Sequence, residues 1–297
     1  MALKFCSFAS GSSGNCYLVK SEHTNILVDV GITGKRIMAG LSDCGIGPED
    51  VGGILVTHEH TDHVKSIRMM GRKAKNAEVY GTHGTLECVR DRVPENRTTV
   101  ISGSSGSRLP FLVGDIKIQP FELSHDAAEP VGYTLCCGGK QITIVTDTGC
   151  ITDEIYRQIS SSDLVVLEAN HEVNILKMGP YPYPLKRRIL SDQGHLSNET
   201  AGETLCRILG DQRRGAGAAG SMNGSNLEDG ISLSGVAPAE DGKIPKILLG
   251  HLSRENNTPQ QAFLTVQNML YEEGYYNHKD LELSVIRRDE ESPLIEV

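Results

Sequence analysis

Ile54-Leu55-Val56-Thr57-His58-Glu59-His60-Thr61-Asp62-His63 is the stretch from which the rest of the chain can be read. The apolar run has the make-up of a short buried strand, and four ligand-type side chains follow at positions 58, 60, 62 and 63. Extended backbone repeats its side-chain direction every second residue, so His58 and His60 can face one ion together. Asp62 and His63 come after the chain has turned, and can face a second ion from the other side. Neutral imidazoles and carboxylates are ligands that zinc, manganese and iron all accept. A solvated polar loop would account for a single histidine but not for this density. The string therefore predicts a dinuclear centre for two divalent metal ions, zinc or manganese, with iron admissible.

Composition sets the frame around it. The 297 residues are 38% hydrophobic and 23% charged, ordinary for a globular protein and enough to bury a large core. We expect one domain over 1–297, with a Gly/Ser-rich insertion around 210–245 that reads as a mobile surface segment. No apolar run approaches the ~20 residues of a membrane span. The opening Met1-Ala2-Leu3-Lys4-Phe5-Cys6 lacks the apolar core of a signal peptide, which points to the cytoplasm and to no membrane partner. The eight cysteines are scattered without a C-x-x-C pair, so reduced, packed thiols are expected rather than disulfides or a cysteine metal site. A net charge of −9 excludes a protein that coats nucleic acid non-specifically. It does not exclude phosphate chemistry, because bound dications invert the local field.

Upstream, strands at 4–8 and 16–19 flank the loop Ala9-Ser10-Gly11-Ser12-Ser13-Gly14-Asn15. Its hydroxyl and N–H groups could receive an anion, with Ser12 and Ser13 as substrate contacts; a plain hairpin loop explains the composition equally well. A strand over 25–31 carries Asp29, either a surface residue or a carboxylate standing behind a ligand histidine. Helices are expected at 33–44, 62–75 and 82–92. The second exposes Lys65, Arg68, Arg72, Lys73 and Lys75, a solvated face or a contact for a phosphate backbone. Downstream, strands at 115–123, 131–137, 141–146 and 163–168 follow. Three of them end in chemically pointed residues: Ser124-His125-Asp126, Asp147-Thr148-Gly149 and Glu168-Ala169-Asn170-His171. One rim of the sheets should thus be the active face. Gly194-His195-Leu196-Ser197-Asn198 opens a helix that Ser197 or Asn198 can cap. A strand at 246–250 runs into His251, and a helix at 259–273 and a strand near 281–287 close the chain.

His58, His60, Asp62, His63, His125, Asp147 and His251, in that order at strand ends, resemble the metallo-β-lactamase superfamily. The resemblance implies an α/β fold, a four-layer αβ/βα sandwich of two mixed β-sheets with the metals at one edge. It also implies the ligand sets: His58, His60 and His125 for one ion, Asp62, His63 and His251 for the other, and Asp147 bridging. Asp29 matches the family's buried aspartate, which accepts a hydrogen bond from a ligand histidine. Glu168-Ala169-Asn170 and Gly194-His195-Leu196-Ser197 resemble motifs of the transfer-RNA 3′-processing endonucleases, but no segment matches their protruding arm. Nor is there room for the inserted domain of the β-CASP nucleases between Asp147 and His251. The opening loop, with Ser124–Pro130 and Gly250–Pro259, looks most like the YycJ/WalJ group of bacterial nucleases. That resemblance implies a 5′-to-3′ DNA exonuclease of DNA repair, with DNA rather than RNA as partner.

The catalytic set expected on these grounds is Asp62, Glu168 and His195. A phosphodiester needs a proton for its departing alkoxide, and a carboxylate-paired His195 suits that role. His171 is expected to support the fold or a ligand. A small-molecule phosphodiesterase, thioesterase or lactamase could use the same metals, since fold does not fix substrate. A non-enzymatic metal-stabilised binding module is the reading of a different class. A homo-oligomer is left open.

Overall fold

The sequence alternates strands with amphipathic helices, and the computed structural model, which describes residues 3–104, 106–220 and 244–297, shows how they layer. The strands are β1 (Lys4–Ala9), β2 (Cys16–Lys20), β3 (Asn25–Val28), β4 (Val51–Leu55), β5 (Glu78–Gly81), β6 (Thr98–Val100), β7 (Gly103–Ser104), β8 (Ser107–Arg108), β9 (Phe111–Val113), β10 (Ile116–Glu122), β11 (Val131–Cys137), β12 (Lys140–Val145), β13 (Leu164–Glu168), β14 (Lys246–Gly250), β15 (Glu282–Val285) and β16 (Ile295–Glu296). The helices are α1 (Gly34–Asp43), α2 (Thr61–Val64), α3 (Ile67–Lys73), α4 (His83–Val89), α5 (Asp153–Ser160), α6 (Val173–Met178), α7 (Tyr183–Ile189), α8 (Asn198–Gly220) and α9 (Pro259–Glu272). Among the described residues, one sheet runs β16-β1-β2-β3-β4-β5-β6 and the other β15-β14-β13-β12-β11-β10-β9. Each is antiparallel in part and parallel in part, which makes both sheets mixed.

Strand periodicity builds the layers. Phe5, Tyr17, Ile26 and Val28 of the first sheet meet Ile118, Tyr133, Ile144 and Val166 of the second in one buried cluster. Their neighbours Phe8, Leu18, Leu27 and Ile54 face the other way, onto α1 and α3. On the far side, Val165, Leu167 and Leu249 pack against residues of α5, α8 and α9. The result is helices, sheet, sheet, helices, the sandwich expected, with both sheets contributing to one apolar interior. Within the described residues no helix is long and apolar enough to cross a membrane.

Several boundaries differ from expectation. The strand expected over 25–31 stops at Val28 because Asp29 takes a left-handed backbone, φ 59°. The helix expected over 62–75 is broken at Lys65–Ser66, where the Ser66 N–H bonds to Val30 and its hydroxyl donates to Ile32, so the segment is tied to the β3 end. Of the insertion expected over 210–245, residues 210–220 are the last turns of α8, and 221–243 lie outside the described residues. The α8 cap is Ser197, whose hydroxyl accepts the Thr200 N–H. Helices α6 and α7 and the β7–β8 hairpin had no counterpart in the sequence reading.

Candidate metal centre

Most side chains of the centre stand where a strand has just ended, and Asp62 and His63 stand on α2. Asp29 follows β3, His58 and His60 follow β4, Asp147 follows β12, and His251 follows β14. Asp29, Asp147 and His251 all have positive φ, 59°, 61° and 52°, which non-glycine residues adopt at a cost. That turn swings each side chain off its strand and toward the rim. Gly31 allows α2 to close on this rim: a Cβ there would sit 1.6 Å from the Asp62 carbonyl oxygen.

Among the described residues the donor atoms on the rim gather in overlapping groups, two of which match the expected ligand sets. His58, His60 and His125 bring donor atoms within 4.8 Å of one another, and so do Asp62, His63 and His251. Asp147 stands between them. Its Oδ1 is 3.8 Å from His125 Nε2 and 3.4 Å from His251 Nε2, and its Oδ2 is 3.1 Å from His63 Nε2. The residue types fit divalent ions, and so do the orphaned atoms. His58 Nε2, His251 Nε2 and Asp147 Oδ2 are buried without a hydrogen bond of acceptable geometry.

The imidazoles are held from behind. His58 Nδ1 lies 3.0 Å from Thr57 Oγ1, and His63 Nδ1 lies 2.7 Å from Asp29 Oδ2. His125 Nδ1 lies 3.1 Å from the Gly194 carbonyl oxygen, and His251 Nδ1 lies 2.8 Å from Glu168 Oε1. Each second partner fixes ring orientation and leaves Nε2 facing the centre. Asp29 is in turn fixed by the Thr57 N–H and hydroxyl.

Glu168 does more than the sequence reading asked of it. It is fully buried, and its Oε1 lies 2.8 Å from both His195 Nδ1 and His251 Nδ1. Oε2 accepts the Thr148 and Leu196 N–H groups. One carboxylate therefore serves the candidate acid and a candidate ligand together. Missed as well were Asn15, whose Nδ2 is 3.0 Å from His63 Nε2, and Ser10, whose hydroxyl accepts the His251 N–H. These contacts give the opening serine-glycine loop a supporting role beneath the centre. Ser12 and Ser13 themselves are exposed at its tip. At the mouth, Arg188 of α7 pairs with Asp126, beside His125. His171 is buried, with both ring nitrogens unpartnered.

Burial and charge set the protonation. Burial drives the His58 pKa well below the usual range and keeps the ring neutral, the form in which an imidazole can take a metal. Burial opposes a charged His251, but Asp147, Asp62 and Glu168 outweigh it and raise its pKa to about 10. Burial likewise works against Glu168 as an anion, yet His195 and His251 bring it down to about 2. His195 is raised because Glu168 and Asp147 overcome burial. The buried carboxylates thus demand positive charge in their midst, which protons supply here and dications would supply on binding.

The description "beta-lactamase superfamily domain" matches residues 24–213. The chain belongs to that family. It is 32% identical to the exodeoxyribonuclease WalJ of Streptococcus pneumoniae serotype 2, across 100% of this chain and 99% of that one. It is 34% identical to the exodeoxyribonuclease YycJ of Bacillus anthracis, across 93% and 92%. Among solved structures, the metallo-β-lactamase fold protein YhfI from Bacillus subtilis superposes with a TM-score of 0.66 at 15% identity, covering both chains in full. A diphosphatase of the PhnP family gives 0.59 at 13% identity, covering 100% and 98%. These likenesses establish the metallo-β-lactamase fold for this member of the superfamily. His251 lies beyond the matched span of the family but within the full-length WalJ alignment.

Proposed function

We propose that this protein is a two-metal phosphodiesterase that removes nucleotides from DNA in the 5′-to-3′ direction, in DNA repair. The observation that carries the phosphodiesterase reading is the shared Glu168 carboxylate, which sets a charged imidazole beside the metal ligands. The His195 ring lies 5.1 Å from that of His125 and 5.4 Å from that of His251, centroid to centroid. The DNA reading is supported by two relatives named exodeoxyribonucleases, at 32–34% identity over nearly the whole chain.

In this reading His58, His60 and His125 would hold one ion and Asp62, His63 and His251 the other, with Asp147 standing between the two sets. Such ions would supply Lewis acidity, giving an acidic water at neutral pH and offsetting phosphoryl charge. Asp62, partly open to solvent beside His251, orients the attacking side. His195 donates a proton from Nε2 to the departing alkoxide, while Glu168 at Nδ1 keeps the ring charged and correctly turned. Glu168 itself stays ionised. Ser12 and Ser13 are left to contact the strand, and the exposed Lys65, Arg68, Arg72, Lys73 and Lys75 offer a path for its phosphates.

Digestion of end-labelled single- and double-stranded DNA and RNA, with Mn²⁺ or Zn²⁺ added, tests this. Mononucleotides should leave first from a 5′-labelled DNA end. If nitrophenyl phosphodiesters are cleaved and DNA is not touched with either ion, the substrate is a small phosphodiester and the nuclease reading fails.

A further inference from the structure

The fold assembles a second group of ligand-type side chains, which sequence spacing conceals. Cys6 of β1, Cys44 at the C-terminal end of α1 and Glu291 near the chain end come from three distant segments. Their donor atoms lie within 4.8 Å of one another. Glu291 Oε1 is 3.7 Å from Cys6 Sγ and 3.9 Å from Cys44 Sγ. Both thiols are reduced. Zinc bonds of about 2.3 Å to sulfur and about 2.0–2.2 Å to oxygen place neighbouring tetrahedral donors about 3.5–3.8 Å apart. The two observed edges stand within a few tenths of an ångström of that spacing. The Ser292 carbonyl oxygen, 3.1 Å from Cys6 Sγ, lies close by as a further oxygen donor.

We infer that Cys6, Cys44 and Glu291 form a separate thiolate–carboxylate site for a zinc-class divalent ion. Scattered cysteines without a C-x-x-C pair had argued against any cysteine metal site, but the argument from spacing does not see three elements folded together. The surroundings agree. Burial, with Cys44 and Glu291 nearby, pushes the Cys6 thiol up, and burial with Asp43 raises Glu291. Burial raises Cys44 as well, Glu291 and Asp43 add to it, and Lys20 does not cancel them. An ion would replace the protons these groups now keep, so its affinity should rise with pH.

The site would act as a staple. Ser292 already joins the C-terminal segment to β1, through its N–H to the Ser7 carbonyl and through its hydroxyl, which accepts the Ser7 N–H. Arg288 of the same segment donates to the Ser253 carbonyl oxygen, two residues beyond His251. An ion at Cys6 would tie α1, β1 and this segment together, on the far side of the first sheet from the shared interior.

Cadmium separates the two centres. Thiolate ligation gives an ultraviolet sulfur-to-cadmium charge-transfer band, which a centre of imidazoles and carboxylates does not produce. Chelator-stripped protein titrated with Cd²⁺ under reducing conditions should develop that band. Cys6→Ser and Cys44→Ser should abolish it, and Cys88→Ser, at an exposed thiol, should leave it. Glu291→Gln, at an exposed position that leaves folding intact, should shift the titration to higher cadmium. Absence of the band at saturating cadmium would overturn the site. So would a band that survives both the Cys6 and Cys44 substitutions, or an unshifted titration in Glu291→Gln.

Discussion

Glu168→Gln is the substitution in which the two halves of the centre should fail together. The carboxylate accepts from two imidazole Nδ1 atoms on one oxygen and two backbone N–H groups on the other. A glutamine has one oxygen and one NH₂ group, so whichever way it turns, its donors face donors. Two buried conflicts at about 1–3 kcal/mol each cost about 2–6 kcal/mol of stability, less whatever the imidazoles recover by changing tautomer. Loss of the partner behind His251 should also weaken ion binding on that side by about 10–100-fold, the usual scale for such a partner. The sign for His195 follows from charge. Its pKa is raised by Glu168, so its acid form is present below that value and is lost as pH rises through it. Removing the carboxylate's charge should move the alkaline limb of DNA cleavage to lower pH. Denaturant unfolding, competition titration with a metal indicator, and a pH–rate profile on DNA measure the three effects. If metal affinity and the alkaline limb both stay where they are, the shared carboxylate does not do what its geometry implies.

His195→Ala should keep both ions yet lose about 10²–10⁴-fold on DNA, with a much smaller loss on a nitrophenyl phosphodiester whose leaving group needs no proton. Equal losses on both substrates would refute an acid role. Asp147→Asn preserves a residue tolerant of left-handed backbone and removes the charge between the clusters, so elemental analysis should find both ions depleted. Tyr183→Ala, at an exposed ring on α7, the helix that also carries Arg188, should weaken single-stranded DNA binding without altering metal content, read by fluorescence anisotropy. Replacing residues 221–243, beyond the last described turn of α8, by a short Gly-Ser linker should leave soluble, metal-competent protein, because loop length adds little to closure cost.

Much of the centre was legible because its ligands are placed by local rules. His58 and His60 share a direction through strand periodicity, and His125, Asp147 and His251 each follow a stretch whose pattern reads as a strand. What was not legible depends on contacts between distant segments. Nothing in Glu168-Ala169-Asn170 says that its carboxylate also reaches a histidine 83 positions on. The break at Ser66 depends on carbonyl groups of Val30 and Ile32, which a helical pattern over 62–75 cannot register. Helices α6 and α7 are short, and the second begins after Pro180 and Pro182, where propensity argues for a turn.

Among the described residues there are four left-handed backbones at non-glycine positions, and three of them, at Asp29, Asp147 and His251, lie on the rim. At roughly 1 kcal/mol or more apiece they are stored at the positions where chemistry is expected, and glycine would release them. Glycine would also strip away the buried carboxylates that Thr57, His63 and His251 face, leaving conflicts at about 1–3 kcal/mol each that outweigh the strain released. Selection for thermal tolerance alone should therefore leave these backbones as they are, so the strain and the centre persist together.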